Sequence, residues 1–466
     1  MNRDDITTPI VDFTDQYQKR KPLRFHMPGH KGKTFLGCEK WDITEITGAD
    51  SLYEAKGIIS ISEKNTSSLF GTGGSFFSTE GSSHCIKAML FLLLQGYKGK
   101  ERPYIIAGRN AHKSFLYSAA LLDIDVLWLY GKERESICSC NISSKDFAED
   151  IDRIICKREY APIGVYITTP DYLGNLMDLE ALSRICHDRN LLLAVDNAHG
   201  AYLHFLEKPR HPMDLGADIC CDSAHKTLPV LTGGAYLHIS RKKKENWGKE
   251  AKQALSIFGS TSPSYLIMRS LDLCNRYLAK EYLFLLKEII LVINGMKERL
   301  EKKGFKVMTT EPLKMTLFFS YSNEQNHVFS GGWLAEKLEE YGIYCEYSDP
   351  EFVVFMFTPQ NTKDEILYLE EKLLALGENI IELEEYFKEL KRNEKERTPA
   401  VSIRKAIFSK QKTIFIRDAV GKVCASPIVS CPPAIPVVVS GEVILKEDLP
   451  VFDYYGIELI NVVSDE

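Results

Sequence analysis

Short apolar runs alternate with helical patterns through the first 240 residues or so of this chain. Six runs of apolar or β-branched residues are bounded by Gly, Pro, Asn or Asp, which is typical of buried strands. They are Tyr104–Ala107, Val126–Leu129, Gly164–Thr168, Leu191–Val195, Asp218–Cys221 and Gly234–His238. Apolar residues recur at helical spacing in Ser82–Gln95, Ser144–Arg158 and Asp178–Arg189. This alternation predicts an α/β fold with a mostly parallel sheet.

The remainder of the chain carries a second pattern. Apolar residues at helical spacing predict one long helix from Pro263 to about Lys303. Strand-like and helical runs then return, and they predict a smaller α+β domain. The strand-like runs are Met315–Tyr321, Ile343–Tyr347, Phe352–Phe357 and Val437–Val439, and the helical runs are Trp333–Tyr341 and Lys363–Leu390.

These patterns divide the chain into three parts. We predict an N-terminal segment at residues 1–20, a major domain at 21–300 and a C-terminal small domain at 301–466. A run of alternating charges at residues 391–397 predicts a solvated linker inside the small domain.

Composition and charge narrow the class of protein. The 466 residues are 44% hydrophobic and 26% charged, an ordinary globular profile, and the net charge of −6 gives no sign of a nucleic-acid surface. We find neither a run of the roughly 18 apolar residues that a membrane helix needs nor a signal peptide. The 12 cysteines are scattered without a metal-binding spacing. We therefore expect a cytoplasmic protein with reduced thiols and predict no metal site.

An aspartate and a lysine stand just past two of the predicted strands. Asp196 ends the run Leu191–Val195, and Lys226 follows Asp218–Cys221 after four intervening residues. In an open parallel sheet, residues just past the strand ends converge on the ligand crevice. A lysine amine can form a Schiff base with pyridoxal phosphate (PLP), and an aspartate can hold its pyridine nitrogen protonated. Either residue alone would usually be a surface group or a helix cap, and only the pair indicates this cofactor.

Two serine-rich segments are candidates for binding a phosphate. Ser82 and Ser83 follow Gly81 at the start of an apolar helix, where backbone N–H groups and hydroxyls can bind an anion. Ser260 and Thr261 precede a second helix. A single serine would suffice as an ordinary helix cap, so the longer Ser-rich run at residue 82 favours phosphate binding.

Three histidines also lie just past predicted strand ends. His112 follows Tyr104–Ala107, and His199 and His225 lie beside Asp196 and Lys226. Each could stack on a cofactor ring or bind a phosphate, although an isolated histidine is more often a structural residue.

Together these motifs resemble the Orn/Lys/Arg decarboxylase family in its short form, and the resemblance covers nearly the whole chain in order. The matching stretches are Phe25–Gly32, Asp42–Glu45, Thr79–Ser83, Arg109–Ser114, Asp196–Gly200, Ser223–Pro229, Ser260–Tyr265 and, in degraded form, Pro432–Pro436. The resemblance implies PLP-dependent transferase fold type I, with a large domain around a mostly parallel sheet and a smaller α+β C-terminal domain.

The resemblance also implies a role for each candidate residue. Lys226 would bind PLP covalently, Asp196 would pair with the pyridine nitrogen, and His112 would stack on the ring near the reacting carbon. These three form the predicted catalytic set. The remaining predicted cofactor-binding residues are Ser82, Ser83, His199, Ser223, His225, Ser260 and Thr261. Ser260 and Thr261 would act on a neighbouring subunit, which implies a homodimer with shared active sites.

The implied reaction is decarboxylation of arginine, lysine or ornithine to an amine that serves as a polyamine precursor. The tail departs from the family pattern, because Ser426 replaces an acid, Cys431 a tyrosine and Ala434 a glycine. The lost acid leaves open whether a basic substrate is kept, and Glu346, Asp349 or Glu351 could replace its charge. An aminotransferase, a lyase or a non-catalytic PLP-binding protein therefore stay as alternatives.

Overall fold

The computed structural model describes residues 5–131, 136–319, 330–377, 396–428 and 433–464. The chain forms two compact units. The first comprises Met1–Gly99, Ile163–Ile167 and Leu179–Leu285, and the second comprises Lys100–Pro162, Thr168–Asp178 and Leu286–Glu466. The three-part division from the sequence stays a prediction, and most of the proposed linker at 391–397 lies outside the described residues.

The described residues form helices and strands with the following bounds. Helices α1–α15 are Pro9–Lys19, Ile58–Leu69, Ser82–Gln95, Lys113–Leu122, Ser144–Arg158, Leu179–Asp188, Ala224–Thr227, Lys244–Trp247, Glu250–Phe258, Tyr265–Lys280, Tyr282–Lys302, Gly331–Glu339, Lys363–Gly377, Ile403–Phe408 and Leu449–Tyr454. Strands β1–β13 are Gly74–Ser78, Tyr104–Gly108, Asp125–Leu129, Val165–Thr168, Leu193–Asp196, Ile219–Asp222, Ala235–Ile239, Lys306–Val307, Lys314–Phe318, Tyr347–Ser348, Phe352–Met356, Gln411–Phe415 and Leu459–Val463.

The first unit is built on strands in the order β1-β7-β6-β5-β4. β5 and β6 pair in parallel, with Asp196 opposite Cys221, whereas β7 runs antiparallel to both β1 and β6. Every residue of β5, β6 and β7 is buried. Their sequences are therefore nearly continuous apolar runs, without the alternation of apolar and polar residues that a half-exposed strand shows. The six strands predicted from such runs are all present within two residues of their predicted ends.

Helix α3 matches its predicted bounds and packs inside the first unit. It begins after Gly81, whose φ of +73° is a backbone conformation that favours glycine. Eight of its residues are buried, and it contacts α9, β6 and β7. A helix that is apolar on most of its circumference has to be covered on most sides, and this cover fixes the position of its N-terminus.

The second unit contains the parallel pair β2–β3 and a four-stranded antiparallel sheet in the order β10-β11-β9-β8. A two-stranded sheet, β12–β13, lies nearer the C-terminus. Buried residues from several parts of the unit pack into one core, including Ile137, Leu173, Phe352, Val438 and Val462. The predicted α/β fold class with an α+β C-terminal part is confirmed.

The long helix predicted from Pro263 to about Lys303 is wrong, because the structure forms two helices that meet at Glu281. Glu281 separates the two helices and has a φ of −109°. Tyr282 then turns into the interior, where its ring packs edge-on against Phe205 and Tyr277. Burial of this aromatic ring outweighs the continuous helical pattern of the sequence.

Two further strand predictions are corrected. Strand β10 is only Tyr347–Ser348, and the predicted start at Ile343 is wrong because the Tyr344 side chain is exposed and not packed on a sheet. Val437–Val439 is not a strand, because its backbone groups bond to side chains. The Val437 carbonyl accepts from Arg109, and the Val439 N–H donates to Glu442.

Other predicted runs are shorter or fall partly outside the description. The helical run Lys363–Leu390 is present as α13 up to Gly377, and the rest lies outside the described residues. Within the described ranges, no helix is both long and apolar enough to cross a membrane.

A buried carboxylate joins α1, α2 and α10 in the first unit. Asp272 of α10 accepts from the N–H groups of Ile10 and Val11 at 2.8 and 2.9 Å, and from the hydroxyl of Ser62 at 2.5 Å. The carboxylate thus satisfies the first N–H groups of α1, which have no partner inside the helix. Burial raises the pKa of Asp272 to about 6, although these hydrogen bonds act in the opposite direction.

Stability should therefore depend on pH through Asp272. The folded protein binds this proton more tightly than the unfolded chain, whose reference pKa is 3.8, so stability is lost as the pH rises through about 6. Relative to Asp272→Asn, the wild-type free energy of unfolding should fall by about 2.5 kcal/mol between pH about 4 and about 7. Urea unfolding of both proteins across this range measures it. If the difference in unfolding free energy between the two proteins stays constant with pH, the raised pKa of Asp272 is contradicted.

Candidate active site

Asp196 is the last residue of β5 and is almost completely buried. The Tyr166 hydroxyl donates to Asp196 Oδ2 at 3.0 Å, and the Ala198 N–H donates to Oδ1 at 3.2 Å. Burial raises the pKa of Asp196, while the Tyr166 hydrogen bond and the charge of Lys226 act in the opposite direction. A buried carboxylate with few donors is suited to pairing with a cationic group.

Lys226 lies in the short helix α7, which begins two residues after β6 ends. Its Nζ is 2.8 Å from Nε2 of His199, which follows β5. Because β5 and β6 are parallel neighbours, the residues that follow them leave the sheet at the same edge. The structure thus places Asp196, His199 and Lys226 at the same edge of the sheet.

Three serines of the predicted cofactor-binding set lie at the N-terminus of α3. Ser82 and Ser83 are its first residues, and the Ser223 hydroxyl donates to Ser82 Oγ at 2.8 Å. The N–H groups of the first turn point out of the helix and carry the positive end of its dipole. This end of α3 therefore combines hydroxyls with backbone donors, a combination suited to an anion such as phosphate.

The second predicted phosphate-binding segment, at Ser260 and Thr261, is hydrogen-bonded to the residues just before the first. The Ser260 N–H donates to Glu80 Oε1 at 2.6 Å, and Glu80 stands two residues before Ser82. Ser260 and Thr261 are both exposed in the chain by itself. Their action on a neighbouring subunit stays a prediction.

His225 bonds to the backbone through one ring nitrogen. Its Nδ1 lies 2.9 Å from the Gly234 carbonyl and therefore carries a proton. Burial and the neighbouring Lys226 lower the pKa of His225. A neutral His225 with its proton on Nδ1 presents a lone pair at Nε2, so it could donate to a phosphate from Nε2 only after it takes up a second proton.

His112 belongs to the second unit, where it is the N-cap residue of α4. Its Nδ1 accepts from the Ser114 N–H at 3.1 Å, which leaves the proton of the neutral ring on Nε2. The ring is thus held by its Nδ1, and the proton of the neutral ring is on Nε2. Its position over a cofactor ring stays a prediction.

The sequence reasoning missed a buried network beneath these residues. Asp222 ends β6, and its Oδ2 accepts from Nε2 of His211 at 3.0 Å and of His238 at 3.2 Å. The Asn197 amide donates to Oδ1 at 2.7 Å. Burial alone would raise the pKa of Asp222, but the two histidines outweigh it and hold the pKa below its usual range. The backbone that leads to Ser223 is thereby anchored through an ionised carboxylate.

Part of this network also has the residue types of a metal site. Ligand-type atoms of His211, Cys220 and Asp222 lie within 4.8 Å of one another. However, His211 Nδ1 accepts from the Met213 N–H at 3.3 Å, so the ring proton is on Nε2, facing Asp222. A protonated nitrogen cannot ligate a metal, and we interpret the cluster as a hydrogen-bonded network.

Comparison with known proteins first gives the class of the fold. The chain superimposes on the lysine decarboxylase LdcF of Francisella novicida with a TM-score of 0.81 and 18% identity, covering 99% of this chain and 82% of that one. The predicted PLP-dependent transferase fold type I is confirmed.

The family follows from the sequence. A model described as the Orn/Lys/Arg decarboxylase major domain matches residues 8–333, and its C-terminal domain matches residues 382–459. The chain therefore belongs to the Orn/Lys/Arg decarboxylase family, and the predicted enzyme class, a decarboxylase, is confirmed.

Two relatives match over most of their length. The chain is similar to an arginine decarboxylase of Bacillus subtilis, with 27% identity over 95% of this chain and 92% of the relative. It is also similar to the constitutive lysine decarboxylase of Escherichia coli, with 22% identity over 97% of this chain and 77% of the relative.

Proposed function

We propose that this protein is a PLP-dependent decarboxylase of a basic amino acid, namely arginine, lysine or ornithine. The observation that carries the proposal is the convergence of Asp196, His199 and Lys226 at the ends of two parallel strands. The family match supports decarboxylation, and relatives named for arginine and lysine support a basic substrate.

The residues of the first unit fit PLP in their chemistry. The cofactor has a phosphate, a ring nitrogen and an aldehyde. The α3 N-terminus with Ser82, Ser83 and Ser223 would hold the phosphate, and the buried Asp196 would pair with the ring nitrogen. Lys226 would hold the aldehyde carbon. When bound, the cofactor withdraws the electron pair that is left as carbon dioxide departs.

The protein's own groups would control the protons of this reaction. His199 Nε2 lies close enough to Lys226 Nζ to accept the proton that the amine must lose before it can act as a nucleophile. The Tyr166 hydroxyl stabilises the ionised form of Asp196, and this form is needed opposite a protonated ring nitrogen. His112 and Lys226 are candidates for returning a proton to the substrate carbon.

The three acids considered for a basic side chain differ in their contacts. Asp349 and Glu351 are buried and accept from the hydroxyl of Tyr454, so they serve the core of the second unit. Glu346 is half-buried and accepts from the Tyr172 hydroxyl at 2.6 Å. Glu346 is therefore the best of the three candidates for contacting a cationic substrate.

The aminotransferase alternative needs an arginine for a second carboxylate. Arg269 contacts Asp15 and the Val11 carbonyl, and Arg404 donates to the carbonyls of Ala120 and Leu121. Both guanidinium groups are engaged in structural contacts, which favours the decarboxylase.

Amine release tests the proposal directly. The purified protein, loaded with PLP, should convert at least one of arginine, lysine and ornithine to agmatine, cadaverine or putrescine, as detected by mass spectrometry. Lys226→Ala should abolish this turnover because the reactive amine is lost, whereas the exposed Lys157→Ala should keep it. Arginine is tested first because the arginine decarboxylase matches at the higher identity. Bound PLP without any amine product would refute the proposal.

Tyr166→Phe should weaken cofactor binding by about tenfold or more. Removal of its hydroxyl takes away a hydrogen bond to a buried charge, which is worth about 1.5–3 kcal/mol. Titration of the cofactor-free protein with PLP, followed by visible absorbance, measures the change. Tyr104→Phe is the matched control, because that buried hydroxyl donates to the Tyr160 carbonyl in the second unit. Equal affinities for the wild type and Tyr166→Phe would contradict a role of the Tyr166 hydrogen bond in cofactor binding through Asp196.

A further inference from the structure

Two sequence motifs of the second unit are in contact. The loop between β2 and α4 carries His112, flanked by Arg109 and Lys113. The Lys113 N–H donates to the Ala434 carbonyl at 2.9 Å. The Arg109 guanidinium donates to the carbonyls of Pro436 at 3.1 Å and Val437 at 2.9 Å. Residues 434–437 and Glu442 contact the His112 loop, and we call this set of contacts the tail contact.

Glu442 completes the tail contact. Its Oε2 lies 3.6 Å from Arg109 Nη2, and both residues are only 2% exposed. The same oxygen accepts from the Val439 N–H at 2.8 Å, which places the carboxylate within its own turn. The Trp128 ring lies 5.4 Å from the guanidinium carbon. A buried guanidinium of this kind requires fixed partners, and the tail segment provides three of them.

The backbone of residues 433–437 favours carbonyl groups that accept hydrogen bonds from the His112 loop. Pro433 and Pro436 have no N–H group, which prevents regular strand pairing and leaves carbonyls that need donors. Ala434 has a φ of +57°, a left-handed conformation that is unfavourable for a residue other than glycine. In this conformation its carbonyl accepts from Lys113, one residue past His112.

We propose that Arg109 and Glu442 are positioning residues for His112, so that the C-terminal tail sets the place of this ring. The inference rests on the proposed function, in which His112 acts at the cofactor. The two bonded positions lie three residues before and one residue after His112, so they fix both ends of its loop. Loss of the pair should displace the ring without removing it.

A neutral double variant tests this role. Arg109→Met with Glu442→Met removes both charges together, so neither is left buried without its partner. The PLP-loaded variant should keep the cofactor attached to Lys226, while kcat falls by about tenfold or more and KM changes by less than about threefold. Its effect on kcat should be non-additive with that of His112→Ala, since both changes act through one ring. Additive effects would overturn the inference.

Two readouts are independent of turnover. Hydrogen exchange at residues 109–116 should accelerate in the double variant, and exchange in α3 should stay unchanged. The visible circular dichroism of bound PLP should change in the double variant in the same way as in His112→Ala. Unchanged exchange at 109–116, or a dichroism spectrum like that of the wild type, would overturn the inference.

A second arginine–glutamate pair of the same unit serves as the control. Arg299 and Glu370 form a two-point ion pair at 2.6 and 2.7 Å between α11 and α13 of the second unit. Their double methionine variant should leave kcat, the dichroism and the exchange of 109–116 unchanged. A wild-type protein that binds PLP but releases no amine would refute the proposed function, whereas exchange and dichroism would still decide the tail contact.

Discussion

Asp196 is a carboxylate buried at the end of a central strand, and burial of a charge has to be compensated by its neighbours. Tyr166 and the Ala198 N–H provide part of this compensation, and the charge of Lys226 also contributes. Burial nevertheless raises the pKa of Asp196, and a cationic partner would favour its ionised form. A protonated ring nitrogen would be such a partner, which would tie the fold of the first unit to its proposed cofactor.

A buried hydrogen-bonded network continues from the residue next to Asp196 into the core of the first unit. Asn197, the next residue, donates to Asp222, whose charge is balanced by His211 and His238. Asp222 in turn precedes Ser223 at the α3 N-terminus. The two strand ends are thereby held together through side chains as well as through the sheet, and the lysine and the serines have fixed places.

The sequence allowed prediction of the strand ends and of α3, because continuous apolar runs report burial directly. It also indicated Asp196 and Lys226 as candidates, because they follow such runs, and Ser82, because it begins an apolar helix after Gly81. It did not indicate Tyr166 or the two histidines, since their partners come from other strands: His238 stands opposite Cys220 only once β6 and β7 pair. The strand predicted at Val437–Val439 is wrong for the same reason, because the Val437 carbonyl bonds to Arg109, more than 300 residues away in the chain.

Lys226 is the residue that we propose to hold the cofactor. Reduction of the PLP-loaded protein with borohydride, followed by peptide mapping with mass spectrometry, identifies the lysine that is attached to it. We expect one modified peptide, with the cofactor fixed on Lys226. Modification at a different lysine, or no modification in a protein that binds PLP, would contradict it.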